Sequence, residues 1–452
     1  MLWTPTLPRT LPWTRPSGTA GRAVRIIGTV GVVALLFSAC GSGDDEGAST
    51  STGSGPQSGG TLTFAVSSDA GCVDPQQVGS NDSIYSARQV VDSLTDQDPQ
   101  TGEIVPWLAE SWKVSPDSKT FTFTLREGAT FSDGTPVDAA AVKANFDTAP
   151  KLGPRATLAL GYLTGYVGTK VVDARTAEVS FENPNAQFLQ ASSTFTLGLV
   201  AASTIARTPD QRCTEGVIGS GPFTLDKYVP NQSISLKKRT GYAWGSSLWK
   251  KQGEAYLDGL TFKIVPESGV RVGSLQSGQV DAISSVGPQD ETALDGGKTR
   301  LQARSNPGVV FNLGVNNSRP LVAEKAVREA ILKAINRQEV VDTVLTKETK
   351  PATSILASTT PLYTDLSGKL GFDAEAAKST LQAAGWVPGA DGIRAKNGQR
   401  LSLQVAWFAN LATNKSALEL IQQQLKLVGI DLVLKEYPIA KVAEIQAAGD
   451  YD

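Results

Sequence analysis

The chain has 452 residues, of which 42 are basic and 44 acidic, so its net charge is −2 and no basic footprint for nucleic acid is visible. It contains no histidine and only three cysteines, Cys40, Cys72 and Cys213, which removes the commonest general base and metal ligand and leaves too few thiolates for a zinc or iron–sulfur site. A hydrophobic fraction of 40% over this length is enough for more than one buried core.

From the N-terminus, Ile26 to Phe37 is a 12-residue uncharged run behind Arg22 and Arg25 and ahead of Ser38-Ala39-Cys40. As a helix it would rise only about 18 Å, short of the ~30 Å hydrocarbon core. It therefore reads as a cleaved secretory signal over residues 1–39. Small residues before Cys40 and Gly41 after it resemble the lipobox of bacterial lipoproteins, in which that cysteine is acylated and becomes the mature N-terminus; Phe37 departs from the usual leucine. An ordinary signal peptide is the alternative. The stretch to Gly60 is nearly all Gly, Ser, Thr, Asp and Pro, a composition too polar to order itself, so 40–60 reads as a lipidated cysteine and flexible tether. Met1 is the only methionine and 21 residues precede Arg22, which leaves the true start open.

Leu62, Phe64 and Val66 alternate along a first strand, followed by the polar segment Ser67-Ser68-Asp69-Ala70-Gly71. Further on, Phe121, Phe123 and Leu125 alternate with Thr120, Thr122 and Thr124, the pattern of a half-buried strand. Pro116 to Lys119 predicts a turn before it, Ser132-Asp133-Gly134-Thr135-Pro136 a turn after it, and Asp138 caps a helix opening at Ala139.

Over Pro106–Val142, the sequence Trp107-Leu-Ala-Glu-Ser-Trp112, the Asp117 turn, the Phe-Thr-Phe-Thr-Leu-Arg strand and Phe131-Ser-Asp-Gly-Thr-Pro136 resemble, in order and spacing, the extracytoplasmic solute-binding proteins of family 5. These are the peptide, oligopeptide and nickel binders of ABC importers. The resemblance extends more weakly from about Gly59 to Asp452. It implies an α/β, two-lobed periplasmic-binding-protein-like fold of class II type with an extra subdomain on the first lobe. On that template residues 61–83 begin lobe I, 84–212 form the additional subdomain, 213–303 complete lobe I and 304–452 belong to lobe II.

The resemblance directs Ser67, Ser68 and Asp69 at the cleft; a plain solvated turn is the alternative. Within the subdomain, Lys170 to Glu182 reads as two strands around a turn, consistent with a mostly β insertion. Gly219-Ser-Gly-Pro-Phe223 resembles the family's return into lobe I and opens a strand to Val229. It lacks the lysine and the strand–loop–helix order of a phosphate loop. Cys72 follows the first strand and Cys213 lies at the return to the same lobe, which implies a Cys72–Cys213 disulfide in an oxidising compartment; buried free thiols are the alternative.

Leu260 to Val265 reads as another strand, and Gly273 to Ile283 as a short helix, glycine turn and strand. Val327, Ala330, Ile331, Ala334 and Ile335 recur at helical spacing. In this segment Arg328 and Arg337 read as structural. Asp373 caps a helix that Gly385 stops. Leu418, Ile421, Leu425 and Val428 stripe another, stopped by Gly429 before a strand to Tyr437. Trp407 and Tyr437 match positions where oligopeptide-binding relatives place cleft aromatics; core packing is the alternative for both. The terminal Gly449-Asp-Tyr-Asp452 resembles a motif that in the family introduces more of lobe II, so lobe II is expected to be incomplete here.

These readings converge on a membrane-anchored extracytoplasmic lipoprotein that captures a small peptide or related solute for ABC permease subunits, with no catalysis, no metal and no cofactor. A degenerate or non-transport surface lipoprotein is the alternative. A surface peptide hydrolase is disfavoured by the missing histidine and the missing Gly-x-Ser-x-Gly elbow. Ligand identity within the family's range of peptides, nickel complexes, opines and oligosaccharides stays open.

Overall fold

In the computed structural model, which describes residues 56–294, 297–408, 412–438 and 441–452, the phenylalanine–threonine alternation becomes the strand Thr120–Leu125. Phe121, Phe123 and Leu125 are buried and the threonines half-buried. The run Ile26–Phe37, Cys40 and most of the Gly/Ser stretch lie outside the described residues.

That strand is central in an antiparallel sheet ordered Ala109–Val114, Thr120–Leu125, Thr176–Phe181, Tyr166–Val171. Its apolar face packs on helix Ala139–Thr148 and on Phe188, whose ring centroid lies 5.0 Å from that of Phe121 and 6.0 Å from that of Phe146. Asp138 caps the helix by accepting from Ala141 N at 2.8 Å. The expectation of a mostly β insertion is incomplete. One open sheet face needs cover, and helical segments between 139 and 215 supply it.

A five-stranded mixed sheet is ordered Ala282–Ile283, Thr61–Val66, Gly259–Ile264, Ser233–Lys238, Phe223–Val229. The first three strands are parallel and the last two join antiparallel. Thr61–Val66 is flanked on both edges, and its Ala65 is as buried as Val66, at 0% and 2% exposure. The strand is therefore covered on both faces towards its end, which the simple alternation did not show. Gly219 and Gly221 are required by close approach: a Cβ at Gly219 would lie 1.9 Å from Val90 O, and one at Gly221 2.5 Å from Gln89 O. The return segment can pass the end of helix Asn81–Val90 only without side chains there.

In the last third, parallel strands Ser402–Phe408 and Asp431–Tyr437 are linked by helix Ala412–Leu427. Gly429, at φ 90°, turns the chain out of that helix. Helices Lys325–Ala334 and Ala374–Ala383 add Val327, Ala330 and Leu381 to a core with Leu403, Leu425 and Leu432. Asp373 caps the second helix through Ala376 N at 2.8 Å. Arg328 donates to Val322 O and Ala323 O, and Arg337 to Leu370 O and Leu332 O, which are backbone braces inside this packing.

The segment limits expected at 83/84 and 212/213 fall inside helices Asn81–Val90 and Pro209–Glu215, while 303/304 falls in a segment without regular structure. Among the described residues no helix is long and apolar enough to cross a membrane.

Candidate functional site

The carboxyl ends of the three parallel strands emerge together, and open α/β sheets bind ligands at that edge. Beside it begins helix Asn81–Val90, whose N-cap Ser80 accepts from Ser83 N. Asp82, in the first turn and 8% exposed, gathers the edge. Its Oδ2 accepts from Ser67 Oγ at 2.5 Å, Ser68 N at 2.8 Å and Ser68 Oγ at 2.9 Å. Its Oδ1 accepts from Ser284 Oγ at 2.9 Å. A carboxylate at a helix N-terminus with four donors is well compensated for its burial.

Arg271, 3% exposed, closes the other side of the edge. It donates to Val265 O and Pro266 O at 2.7 Å, to Ser284 O at 3.1 Å and to Ser285 O at 2.8 Å. Burial pulls its pKa down from the ordinary arginine value, and the charges of Asp82, Asp290 and Glu267 oppose this. Ser285 sits at φ 54°, a left-handed conformation that costs a non-glycine residue energy and is held here by the bond from Arg271. One turn past Asp82, Tyr85 is 38% exposed with its ring 4.8 Å from that of Phe64. Burial, then the charge of Asp82, raises its hydroxyl pKa.

Of the residues singled out in sequence, Ser67 and Ser68 are at this edge. Asp69 is turned to another task. It accepts from Gly71 N at 2.9 Å, and its Oδ2 accepts from Tyr228 Oη and Asn231 N at 2.8 Å each, tying the loop to the turn after strand Phe223–Val229. Burial and the neighbouring Asp69 push the Tyr228 hydroxyl upward. Cys72 and Cys213 form a disulfide. Next to it Asp74 and Arg212 make an ion pair of 2.8 Å whose side chains are 0% and 1% exposed, and Arg212 also donates to Gln76 Oε1 at 2.7 Å. Cys40 lies outside the described residues.

Trp407 and Tyr437 are not brought together. Trp407, 9% exposed, continues the row of Leu403 and Val405 on the core side of its strand. Tyr437 is in register with Phe408, their rings 6.4 Å apart, and so occupies the opposite face. No hydrogen bond or ring contact joins either to Ser67–Asp69 among the described residues.

Sequence reasoning missed Asp82, Arg271, Ser284 and Tyr85. The Ser80-Asn81-Asp82 helix start was a usable signal for Asp82. Arg271 and Ser284 carry none, because only strand register places them beside Asp82. A second polar cluster lies deeper. Asp92, fully buried, accepts from Trp244 Nε1 at 2.9 Å and Tyr242 Oη at 3.1 Å. Burial raises its pKa to about 7, against the charge of Arg88 and the hydrogen bonds it accepts.

This architecture is shared with solved solute-binding proteins. The Helicobacter pylori binding protein DppA, solved in complex with the peptide STSA, superposes with a TM-score of 0.70 at 22% identity, covering 88% of this chain and 77% of that one. The fold is thus the α/β periplasmic-binding-protein type with an added subdomain. The description "Bacterial extracellular solute-binding proteins, family 5 Middle" matches residues 103–452, and the chain belongs to that family. It is 29% identical to the nickel-binding periplasmic protein of Escherichia coli K12 over 340 residues, 74% of this chain and 63% of that protein. It is 27% identical to the glutathione-binding protein GsiB of Salmonella paratyphi A over 398 residues, 86% of this chain and 72% of that one. The chain therefore spans less than two thirds of the length of the nickel-binding relative.

Proposed function

We propose that this chain is the solute-capturing lipoprotein of an ABC importer, anchored through Cys40 outside the cell membrane and delivering peptides or related small solutes to permease subunits. Capture takes place between lobe I, built from 61–83 and 213–303 with 84–212 inserted, and lobe II from 304–452. No bond in the solute is made or broken. The observation that carries the reading is the convergence of Ser67, Ser68, Ser284 and Arg271 on the carboxyl edge of the parallel strands around Asp82, in a chain of this family. Ser67 and Ser68 with exposed Tyr85 form the lobe I wall, Asp69 holds the loop in place, and Tyr437 with Phe408 supplies apolar surface from lobe II while Trp407 supports it from the core. The glutathione-binding relative and the peptide complex of DppA support peptides and peptide-like solutes as the class to test first.

The test is thermal unfolding of the purified chain against a panel of di- to pentapeptides, glutathione and nickel chelates. A solute at a hundred times its Kd adds about 2.7 kcal/mol, read as a rise of a few degrees in Tm. Solution scattering should show a more compact particle with the same solute. Silence from both measurements across the whole panel would sink the proposal.

A further inference from the structure

Where the turn after strand Thr120–Leu125 meets the segment after strand Ser233–Lys238, the surface sinks into a depression of about 460 Å³. Its lining includes Glu110, Arg126, Glu127, Gly128, Gly241 and Trp244. The size falls in the ~300–1,000 Å³ range of small-molecule sites, and none of these residues belongs to the Asp82 edge.

The charges here are unevenly used. Arg175 donates to Glu110 and to Glu127 at 2.7 Å each, so both carboxylates are held in place yet keep acceptor capacity. The Arg126 side chain donates to no protein group among the described residues, and its Nε is buried without a partner. The buried Nε is out of a ligand's reach, so the donors Arg126 offers the depression are its terminal Nη groups, which are not among the buried unpaired atoms and make no bond to the protein among the described residues. The two glycines leave the walls open, with nothing within 4 Å of a Cβ placed on Gly128 or Gly241. Trp244 is 6% exposed, its indole N–H turns inward to Asp92 at 2.9 Å, and the Arg239 guanidinium lies 4.8 Å from its ring centroid. It therefore borders the depression with only a small part of its ring.

The lining thus presents one unpaired guanidinium, two carboxylates anchored by the adjoining Arg175, and a small part of an aromatic ring. A simple anion would meet the glutamates as well as Arg126, and a simple cation would meet both arginines. A ligand that is neutral overall with separated charges satisfies both sets. We infer that this depression is a second ligand site, for a zwitterionic amino acid whose carboxylate pairs with Arg126, whose ammonium faces Glu127 and Glu110, and whose apolar side chain lies against the exposed part of the Trp244 ring.

Calorimetric titration of the purified chain with L-leucine, N-acetyl-L-leucine and L-leucinamide tests it. L-Leucine should bind, and each derivative, lacking one charge, should bind about tenfold more weakly or worse. Arg126→Gln should weaken L-leucine by a similar factor while leaving the response to the peptide panel intact, since that response belongs to the Asp82 edge. Glu127→Gln, at a side chain 79% exposed, provides a variant that folds regardless. It should weaken L-leucine and leave N-acetyl-L-leucine unchanged. No heat with L-leucine, equal affinity for all three compounds, or L-leucine binding indifferent to both substitutions would overturn the inference. The last outcome would place the amino acid at the Asp82 edge and leave the solute-capture reading standing.

Discussion

Asp82 shows how one side chain can organise the edge of a sheet. Its two oxygens take four donors from the loop after strand Thr61–Val66 and from Ser284. Asp82→Ala would leave those donors unpaired and is expected to cost about 2–4 kcal/mol in urea unfolding, with Asp82→Asn recovering part of the loss. Asp92 makes a different prediction, in pH. Its folded pKa is raised from 3.8 to about 7 by burial, so the folded state binds this proton more tightly than the unfolded chain does. The stability associated with that proton is complete below the unfolded value and is lost as pH rises through about 7. Denaturation midpoints should fall across that window, and Asp92→Asn, which cannot titrate, should flatten the decline. A midpoint profile with the same slope in both proteins would refute the assignment.

At the scale of elements, local pattern and local structure agree where one face is buried and the other is not. Thr120–Leu125, its turns and the Asp138 cap were legible because strand period, turn chemistry and capping are all short-range. Phe123→Ala should cost about 3–5 kcal/mol through the cavity left against Phe188, and Asp138→Ala about 1 kcal/mol. Gly219→Ala tests a tertiary requirement. Its Cβ would meet Val90 O at 1.9 Å, so the return segment must shift, and the variant should unfold at clearly lower urea than Gly273→Ala, where nothing stands within 4 Å. The aromatic pair fared differently. Trp407 and Tyr437 both sit on strands, as expected, but a one-residue difference in register parity puts them on opposite faces.

For the molecule as a whole, the Cys72–Cys213 disulfide and the buried Asp74–Arg212 pair beside it form a double clasp between the loop after the first strand and helix Pro209–Glu215. The disulfide spans 141 positions. Closing so long a loop contributes about 5 kcal/mol in the chain-entropy account, so the double Cys72→Ser, Cys213→Ser variant should unfold at markedly lower denaturant. Reduction of the wild type should reproduce that shift, and equal midpoints for the two forms would show that the bridge carries no stability.

What the sequence by itself determined is local: the strand and helix positions, their caps and stops, the sign and balance of charge, and, through the Pro106–Val142 pattern, membership of the solute-binding family. Each of these depends on a few neighbouring residues, where backbone sterics and apolar periodicity are decisive. The tertiary structure alone decided which side chains meet. Ser67, Asp82, Arg271 and Ser284 span more than 200 positions between the first and the last and converge because three strands lie parallel in one register. The free guanidinium of Arg126 is likewise visible only once Arg175 is seen to have taken both neighbouring glutamates. Such partnerships are set by packing across the sheet, and no spacing along the chain encodes them.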